Sequence, residues 1–380
     1  VPVTALRYAE VVPALKPIKP LDQVEAIALL RELMDIDSTT YHEGAAGAFL
    51  ATYLESRGFA VELTPVPEPD GSSNTGGRSN VYASGAGEAA PVVVFSTHMD
   101  TVPPWIPSSE DKEFVYGRGA CDAKGIIVAM IAAAERLREQ ELPVGLLFVV
   151  GEERDSAGAK IANLNPKGSR FLINGEPTDN RLAIASKGAL RASVVARGKM
   201  AHSAYPELGE SAIHKLVRAL DAVLQVPLPT TEGVGPSTLN IGLLEGGRAP
   251  NVIADEASAQ VLVRLVGSSA STRAALIAAA APYAEIDFTL EIPFVRLRAM
   301  QGLPTMVAAF TTDVPALTAW GEPLLLGPGS IHVAHTPDER IAKRELWEAV
   351  ELYVTVAQQL AAEVDGAPDA VTGQSVPQSL

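Results

Sequence analysis

His98 and Asp100 follow directly on Pro91-Val92-Val93-Val94-Phe95, a short apolar, β-branched run that reads as a strand buried on both faces. A histidine and an acid at such a strand end lie where open α/β sheets hold their ligands. Two residues apart on an extended chain, the side chains share a face, so Asp100 can approach the His98 imidazole. A carboxylate that fixes a histidine's tautomer commonly backs a metal-bound imidazole. Alone, such a histidine is more often a hydrogen-bonded loop residue. Four further motifs change its meaning. Gly117-Arg118-Gly119-Ala120-Cys121-Asp122-Ala123-Lys124-Gly125 puts an acid between a glycine-rich turn and a helix, where an N-cap is the ordinary role. Gly151-Glu152-Glu153 follows another apolar run; neighbouring carboxylates repel, and on an extended chain they point to opposite sides. Gly175-Glu176-Pro177-Thr178 reads by itself as an acidic turn, and Gly327-Pro328-Gly329-Ser330-Ile331-His332-Val333-Ala334-His335 as a glycine-rich loop. Each piece has an ordinary explanation, but their occurrence in series, each near a strand end, does not. Two histidines and three carboxylates are nitrogen and oxygen ligands suited to zinc or a related divalent ion. One bridging carboxylate would turn them into a two-metal site.

The elements that must position these motifs alternate. Helical spacing marks 21–36 and 44–58, strands are expected at 60–63 and 80–83 around a loop at 71–79, and then at 91–97. An Ala-rich helix at 125–137, a strand at 146–150 and a short strand at 171–173 follow. This alternation predicts a mostly parallel sheet in an α/β catalytic domain. From 183 the character changes: strands at 189–196, 237–243, 257–265 and 286–292 and helices at 210–225 and 270–281 form a separate α+β unit inserted in the first. The strand 323–326 and the helix 343–363 then resume the first domain. The expected boundaries are 1–183, 184–296 and 297–380. Residues 1–20, with Pro2, Pro13, Pro17 and Pro20, read as an extended arm, and 366–380 as a frayed tail.

The bulk composition excludes some partners. A net charge of −15, from 30 basic and 45 acidic residues, argues against nucleic acid or an anionic membrane surface. No apolar run reaches the roughly 20 residues needed to span a bilayer. The lone Cys121 excludes an internal disulfide and fits a reducing compartment. The opening Val1-Pro2-Val3-Thr4 has no signal-peptide pattern, so a cytoplasmic protein is expected.

Taken together, Thr97-His98-Met99-Asp100-Thr101-Val102-Pro103, the 117–125 and 151–153 motifs, Gly175-Glu176-Pro177-Thr178 and Ala334-His335-Thr336-Pro337-Asp338-Glu339 resemble one family. It is the dizinc metallopeptidases of acetylornithine deacetylase, succinyl-diaminopimelate desuccinylase, aminoacylase and glutamate carboxypeptidase. The likeness covers residues 20–365. It implies a zinc-peptidase-like catalytic domain with an inserted ferredoxin-like lid and dimerisation domain, and two Zn2+, replaceable by Co2+ or Mn2+. His98, Asp122 and Glu176 would hold one ion, and Asp122, Glu153 and His335 the other, with Asp122 bridging and a cis peptide after it. Glu152 would be the general base, and Asp100 would orient His98. The motif Gly198-Lys199-Met200-Ala201-His202-Ser203-Ala204-Tyr205-Pro206 would carry His202 to the partner subunit's site as an oxyanion donor. Asn251 and Arg264 match positions that hold the substrate's carboxylate, and Gly327, Gly329 and Ser330 would line the pocket with backbone N–H groups. His332 is read as a pocket-wall residue and Cys121 as packing. The implied protein is a homodimeric hydrolase of a small N-acyl amino acid. N-acetylornithine is the nearest substrate; N-acetyl-lysine, N-acetylcitrulline, succinyl-diaminopimelate and dipeptides or carboxypeptidase substrates are the alternatives. A non-catalytic metal-binding relative would require a lost ligand or a lost Glu152, and none is lost.

Overall fold

The computed structural model describes residues 19–68, 77–85 and 90–365. The expected N-terminal arm up to residue 18, most of the 71–79 loop and the tail from 366 lie outside the described residues. The helices are α1 (Gln23–Met34), α2 (Gly44–Ser56), α3 (Lys124–Glu139), α4 (Ala157–Ala162), α5 (Ala212–Leu224), α6 (Ser269–Ala280) and α7 (Lys343–Asp365). Ten principal strands run β1 (Phe59–Val66), β2 (Arg78–Gly85), β3 (Val93–His98), β4 (Val144–Val149), β5 (Phe171–Asn174), β6 (Gly188–Arg197), β7 (Thr238–Gly246), β8 (Glu256–Leu265), β9 (Glu285–Ile292) and β10 (Glu322–Leu325). Among the described residues no helix is long and apolar enough to cross a membrane.

The central sheet has the order β1-β2-β4-β3-β5-β10. Strands β4, β3, β5 and β10 are parallel, while β1 and β2 add an antiparallel edge at the other end. Every residue of β3 and β4 is buried, as expected of strands covered on both faces. Alternation divides β3 between two cores. Val93 and Phe95 pack with α1, α2, α3 and α7, whereas Val94 packs with Leu147, Val149, Leu172 and Trp320 beneath α4. Phe95 meets Tyr353 of α7 edge-on at 5.4 Å between ring centroids. The α1 start is fixed by a capping box: Asp22 accepts from Val24 and Glu25, and Glu25 accepts from the Asp22 N–H.

The second sheet is antiparallel, in the order β7-β8-β6-β9, with α5 and α6 on one face. This β6-α5-β7-β8-α6-β9 arrangement is the ferredoxin-like unit expected from sequence. Strand β8 alternates strictly, burying Ala257, Ala259, Val261, Val263 and Leu265 against the helices and turning the residues between them to the other face. Short strands at Leu182–Ser186, Val295–Arg296 and Thr305–Ala308 join the two sheets. Runs of five, two and four residues carry too little periodic signal to be read from sequence.

Candidate metal centre and active site

Three parallel strands bring the site together. Because β3, β4 and β5 run in the same direction and His98 pairs in register with Val149, the residues just beyond them emerge at one sheet edge. His98 ends β3, Glu152 and Glu153 follow β4, and Glu176 follows β5. Asp122 arrives from the turn before α3, and His335 from the loop after β10.

The contacts are close. His98 Nε2 lies 3.0 Å from Asp122 Oδ1. His335 Nε2 lies 3.1 Å from the other oxygen of Asp122 and 2.9 Å from Glu153 Oε1. Asp122 therefore stands between the two imidazoles, as a bridging ligand must. His98, Asp122 and Glu153 can offer ligand atoms all within 4.8 Å of one another. Glu176 is buried, its Oε1 has no hydrogen-bond partner, and its carboxyl feels the charges of His98 and Asp122. The peptide Asp122–Ala123 is cis.

The donor set fits a divalent ion. His98 Nδ1 faces the backbone carbonyl of Asp100 at 2.9 Å, so that nitrogen carries the hydrogen and the Nε2 lone pair points at a carboxylate. Two acceptors aimed into one space require a cation or an added proton between them. Without metal the proton serves: burial disfavours charge on His98, but hydrogen bonds to Asp100 and Asp122 outweigh it and hold its pKa well above the usual range. Bonds to Asp122 and Glu153 raise His335 to about 10. Burial weighs against ionised Asp122, but the two histidines hold its pKa below the usual carboxylate range. Burial, reinforced by neighbouring carboxylates, pushes Glu152, Glu153 and Glu176 upward.

Asp100 does more than its spacing suggested. Its carboxylate stands 3.5 Å from His98 Nδ1, farther than its own backbone carbonyl. The side chain also accepts from the amides of Glu152 at 3.0 Å and Glu153 at 3.2 Å, and from Thr40 Oγ1 at 2.9 Å. It thus fixes the turn that carries Glu152 and Glu153. Glu339 does the same for Asp122: it pairs with buried Arg118 at 2.5 Å and accepts from the amides of Gly119 and Asp122. Sequence reasoning quoted Glu339 within a motif but gave it no task. Arg118 and Glu339 lie 221 residues apart in the chain, so no local signal marks the pair.

The expected pocket glycines behave otherwise. The Gly327 N–H donates to Thr178 Oγ1 at 2.9 Å and the Gly329 N–H to Glu345 Oε1 at 2.8 Å, so neither is free for a substrate. Their residue type answers to packing: Gly329 has φ +87°, and a Cβ there would meet Cys121 Cβ at 2.4 Å. Ser330 pairs with Thr178 across the same loop. Cys121 is buried beneath it, as expected.

A cavity of about 960 Å3 opens between this centre and the uncovered face of the second sheet. Asp122, Glu152, Glu153, Glu176 and His335 line one side, and Arg264 the other. His202 and Asn251 do not line it. They sit together on a short ribbon where His202 pairs with Val252 and the Ser203 N–H donates to Asn251 O, with the imidazole exposed.

The α/β core with helices on both faces of its sheet, the second sheet and a largely buried histidine–carboxylate cluster define a metal-dependent hydrolase of peptide or amide bonds. The chain belongs to peptidase family M20/M25/M40, whose model matches residues 94–359. It is 39% identical over 343 residues to a peptidase M20 domain-containing protein of Schizosaccharomyces pombe, covering 86% of this chain and 82% of that one. It is 38% identical over 361 residues to a protein of Aspergillus terreus named as a probable carboxypeptidase, covering 85% and 83%. Among solved structures, the aminopeptidase PepT of Bacillus cereus shares the fold at TM-score 0.72 and 22% identity, over 90% of this chain and 99% of that one.

Proposed function

We propose that the protein hydrolyses the amide bond preceding a free carboxylate, as a dipeptidase or carboxypeptidase acting on short peptides, using two zinc ions. The observation that carries this is Asp122 between His98 and His335, with Glu152 beside the cluster at the mouth of the cavity. The nitrogen–oxygen donor set suits zinc, with Co2+ or Mn2+ as substitutes. His98, Asp122 and Glu176 would hold one ion and Asp122, Glu153 and His335 the other. When bound, such ions polarise a carbonyl and make water acidic near neutral pH. Glu152, half-buried and raised by burial, takes the proton from the attacking water and returns it to the leaving amine. Asp100 holds the Glu152 amide, so the base cannot drift. Arg264 receives the substrate's carboxylate.

The exposed ribbon of His202 and Asn251 suits a contribution to a second copy's site, and the chain's lid supplies a surface for one. Strand β7 is an edge, with Leu243 62% and Leu244 59% exposed, and Val217 and Leu224 of α5 are exposed beside it. We therefore assign a homodimer through the lid, with His202 completing the partner's oxyanion site.

N-acetylornithine, the nearest substrate by sequence resemblance, ranks behind a peptide. A cationic side chain needs a free carboxylate, and Asp313, the acid available in 304–322, is buried and outside the cavity lining. The relatives' names also favour carboxypeptidase chemistry. The test is a panel of dipeptides and of N-acetyl-ornithine, -citrulline, -lysine and -methionine, given to the metal-loaded and the chelated enzyme. Metal-dependent release of the C-terminal residue from dipeptides is expected. Turnover confined to N-acetylornithine would restore the deacetylase reading.

A further inference from the structure

Opposite the metal centre, the cavity wall is the face of the lid sheet that α5 and α6 leave uncovered. Arg264 and Arg191 both stand on it and both line the cavity. The register sets Arg264 of β8 opposite Ala189, and Arg191 of β6 opposite Leu262, so the two arginines are diagonal neighbours on one face. Such positions lie roughly 7–8 Å apart. Neither guanidinium has a hydrogen bond or ion pair with any described residue. Of the cavity's acids outside the metal cluster, Glu291 is engaged with Arg273 at 2.6 Å and with Ser269, and Asp155, on the opposite side, accepts from the Ala157 N–H at 3.0 Å. Leu262, Leu290 and Ile292 fill the wall around the arginines, an apolar surface for an aliphatic stem.

Two unpaired cations side by side, Arg264 half-buried and Arg191 exposed to the cavity, repel each other unless anions arrive with the ligand. The leaving residue's α-carboxylate accounts for Arg264. We infer that Arg191 receives a second carboxylate, the side chain of that same residue, so that the enzyme selects peptides ending in aspartate or glutamate. This rests on the hydrolase reading above and narrows its substrate class. Arg191 is a specificity residue: it touches the substrate's side chain and takes no part in bond breaking.

The experiment compares Ala-Glu, Ala-Gln, Ala-Leu and Ala-Lys with the zinc-loaded enzyme. kcat/KM for Ala-Glu is expected to exceed that for Ala-Gln by about 10- to 100-fold, the span of one charge-assisted hydrogen bond, with the difference in KM. In Arg191→Gln the ratio falls to within a few-fold, and Arg191→Lys recovers part of it. Equal values for Ala-Glu and Ala-Gln in the unmodified enzyme overturn the inference, as does a ratio that survives Arg191→Gln. So does an Arg191→Gln enzyme that loses equally on both peptides, because both arginines would then grip one carboxylate. If no dipeptide is cleaved, the hydrolase reading fails separately. Calorimetry of the same peptides on zinc-loaded Glu152→Gln protein then decides: tighter binding of Ala-Glu than Ala-Gln, lost with Arg191→Gln, supports the inference, and equal binding overturns it.

Discussion

The two walls of the cavity are built in opposite ways. On the sheet side, Glu152, Glu153 and Asp122 of the proposed metal centre are held by other buried groups. Asp100 ties down the Glu152–Glu153 turn, Glu339 ties down Asp122, and Arg118 ties down Glu339. On the lid side, Arg191 and Arg264 stand on strands of the wall with no hydrogen bond or ion pair to any described residue, and His202 stands exposed on a ribbon outside the cavity. A cluster of like charges has to be preorganised by its surroundings, because its members repel until metal arrives. A recognition wall can leave its charges unpaired, because the substrate pairs them. The lesson is that the same cavity separates groups whose loss costs structure from groups whose loss costs only rate or selectivity.

Substitutions test that separation, and the largest effect belongs to the bridge. Asp122→Ala removes the one carboxylate shared by both histidines; metal content by elemental analysis should fall and activity should drop by more than about 1,000-fold. An Asp122→Ala protein with full metal content would remove the bridging assignment. Next comes Glu339→Gln, which breaks a buried pair with Arg118. Leaving one partner of such a pair alone typically costs about 3–5 kcal/mol, so thermal unfolding should shift down clearly. An unchanged melting temperature would show that the sheet wall is not held as described.

On the lid side, His202→Ala should leave the melting temperature in place and lower kcat by about 100-fold with little change in KM. Mixing His202→Ala with Glu152→Gln subunits should recover part of the activity if the histidine acts across a dimer; no recovery in a verified heterodimer would place its action within one subunit. A smaller effect is expected from Leu243→Glu on the exposed edge strand, which should shift the sedimentation profile toward monomer. A dimer unaffected by that charge would move the interface elsewhere.

Proton competition offers a further contrast. Burial and mutual repulsion raise Glu152, Glu153 and Glu176, and hydrogen bonds to carboxylates raise His98 and His335. All five groups bind protons more readily in the metal-free fold, and metal must displace those protons. Metal affinity should therefore fall as pH is lowered, measured with a competing chelator at two pH values. A pH-independent affinity would contradict the geometry of the cluster.

Much of this was legible in the chain. Val93-Val94-Phe95 and Leu146-Leu147-Phe148 carry enough apolar, β-branched character to mark buried parallel strands, and the motifs lie at their ends. The lid's βαββαβ order was readable from alternation at 257–265 and the helical spacing at 210–225. Tertiary partnerships were not. Nothing local ties Glu339 to Asp122, Thr40 to Asp100, or Arg78 to Glu43, a buried pair 3.2 Å apart. Each depends on chain segments that meet only after folding. Asp100 stands beside His98 as its spacing suggested, but its second task was hidden for the same reason: the Glu152 and Glu153 amides it accepts from lie in a turn of a distant segment. The loop glycines looked like free donors because sequence cannot show that Thr178 and Glu345 already use them. Arg191 passed unnoticed because an arginine on an alternating strand looks like an ordinary surface residue until the sheet's open face is known to front the cavity.

Glu152 is the proposed proton carrier beside an intact metal centre. The most direct measurement is steady-state hydrolysis by Glu152→Gln protein whose metal content has been quantified in the same sample. Two bound ions per chain with kcat reduced by at least about 100-fold is the predicted result. Full metal content with near-normal kcat would contradict it.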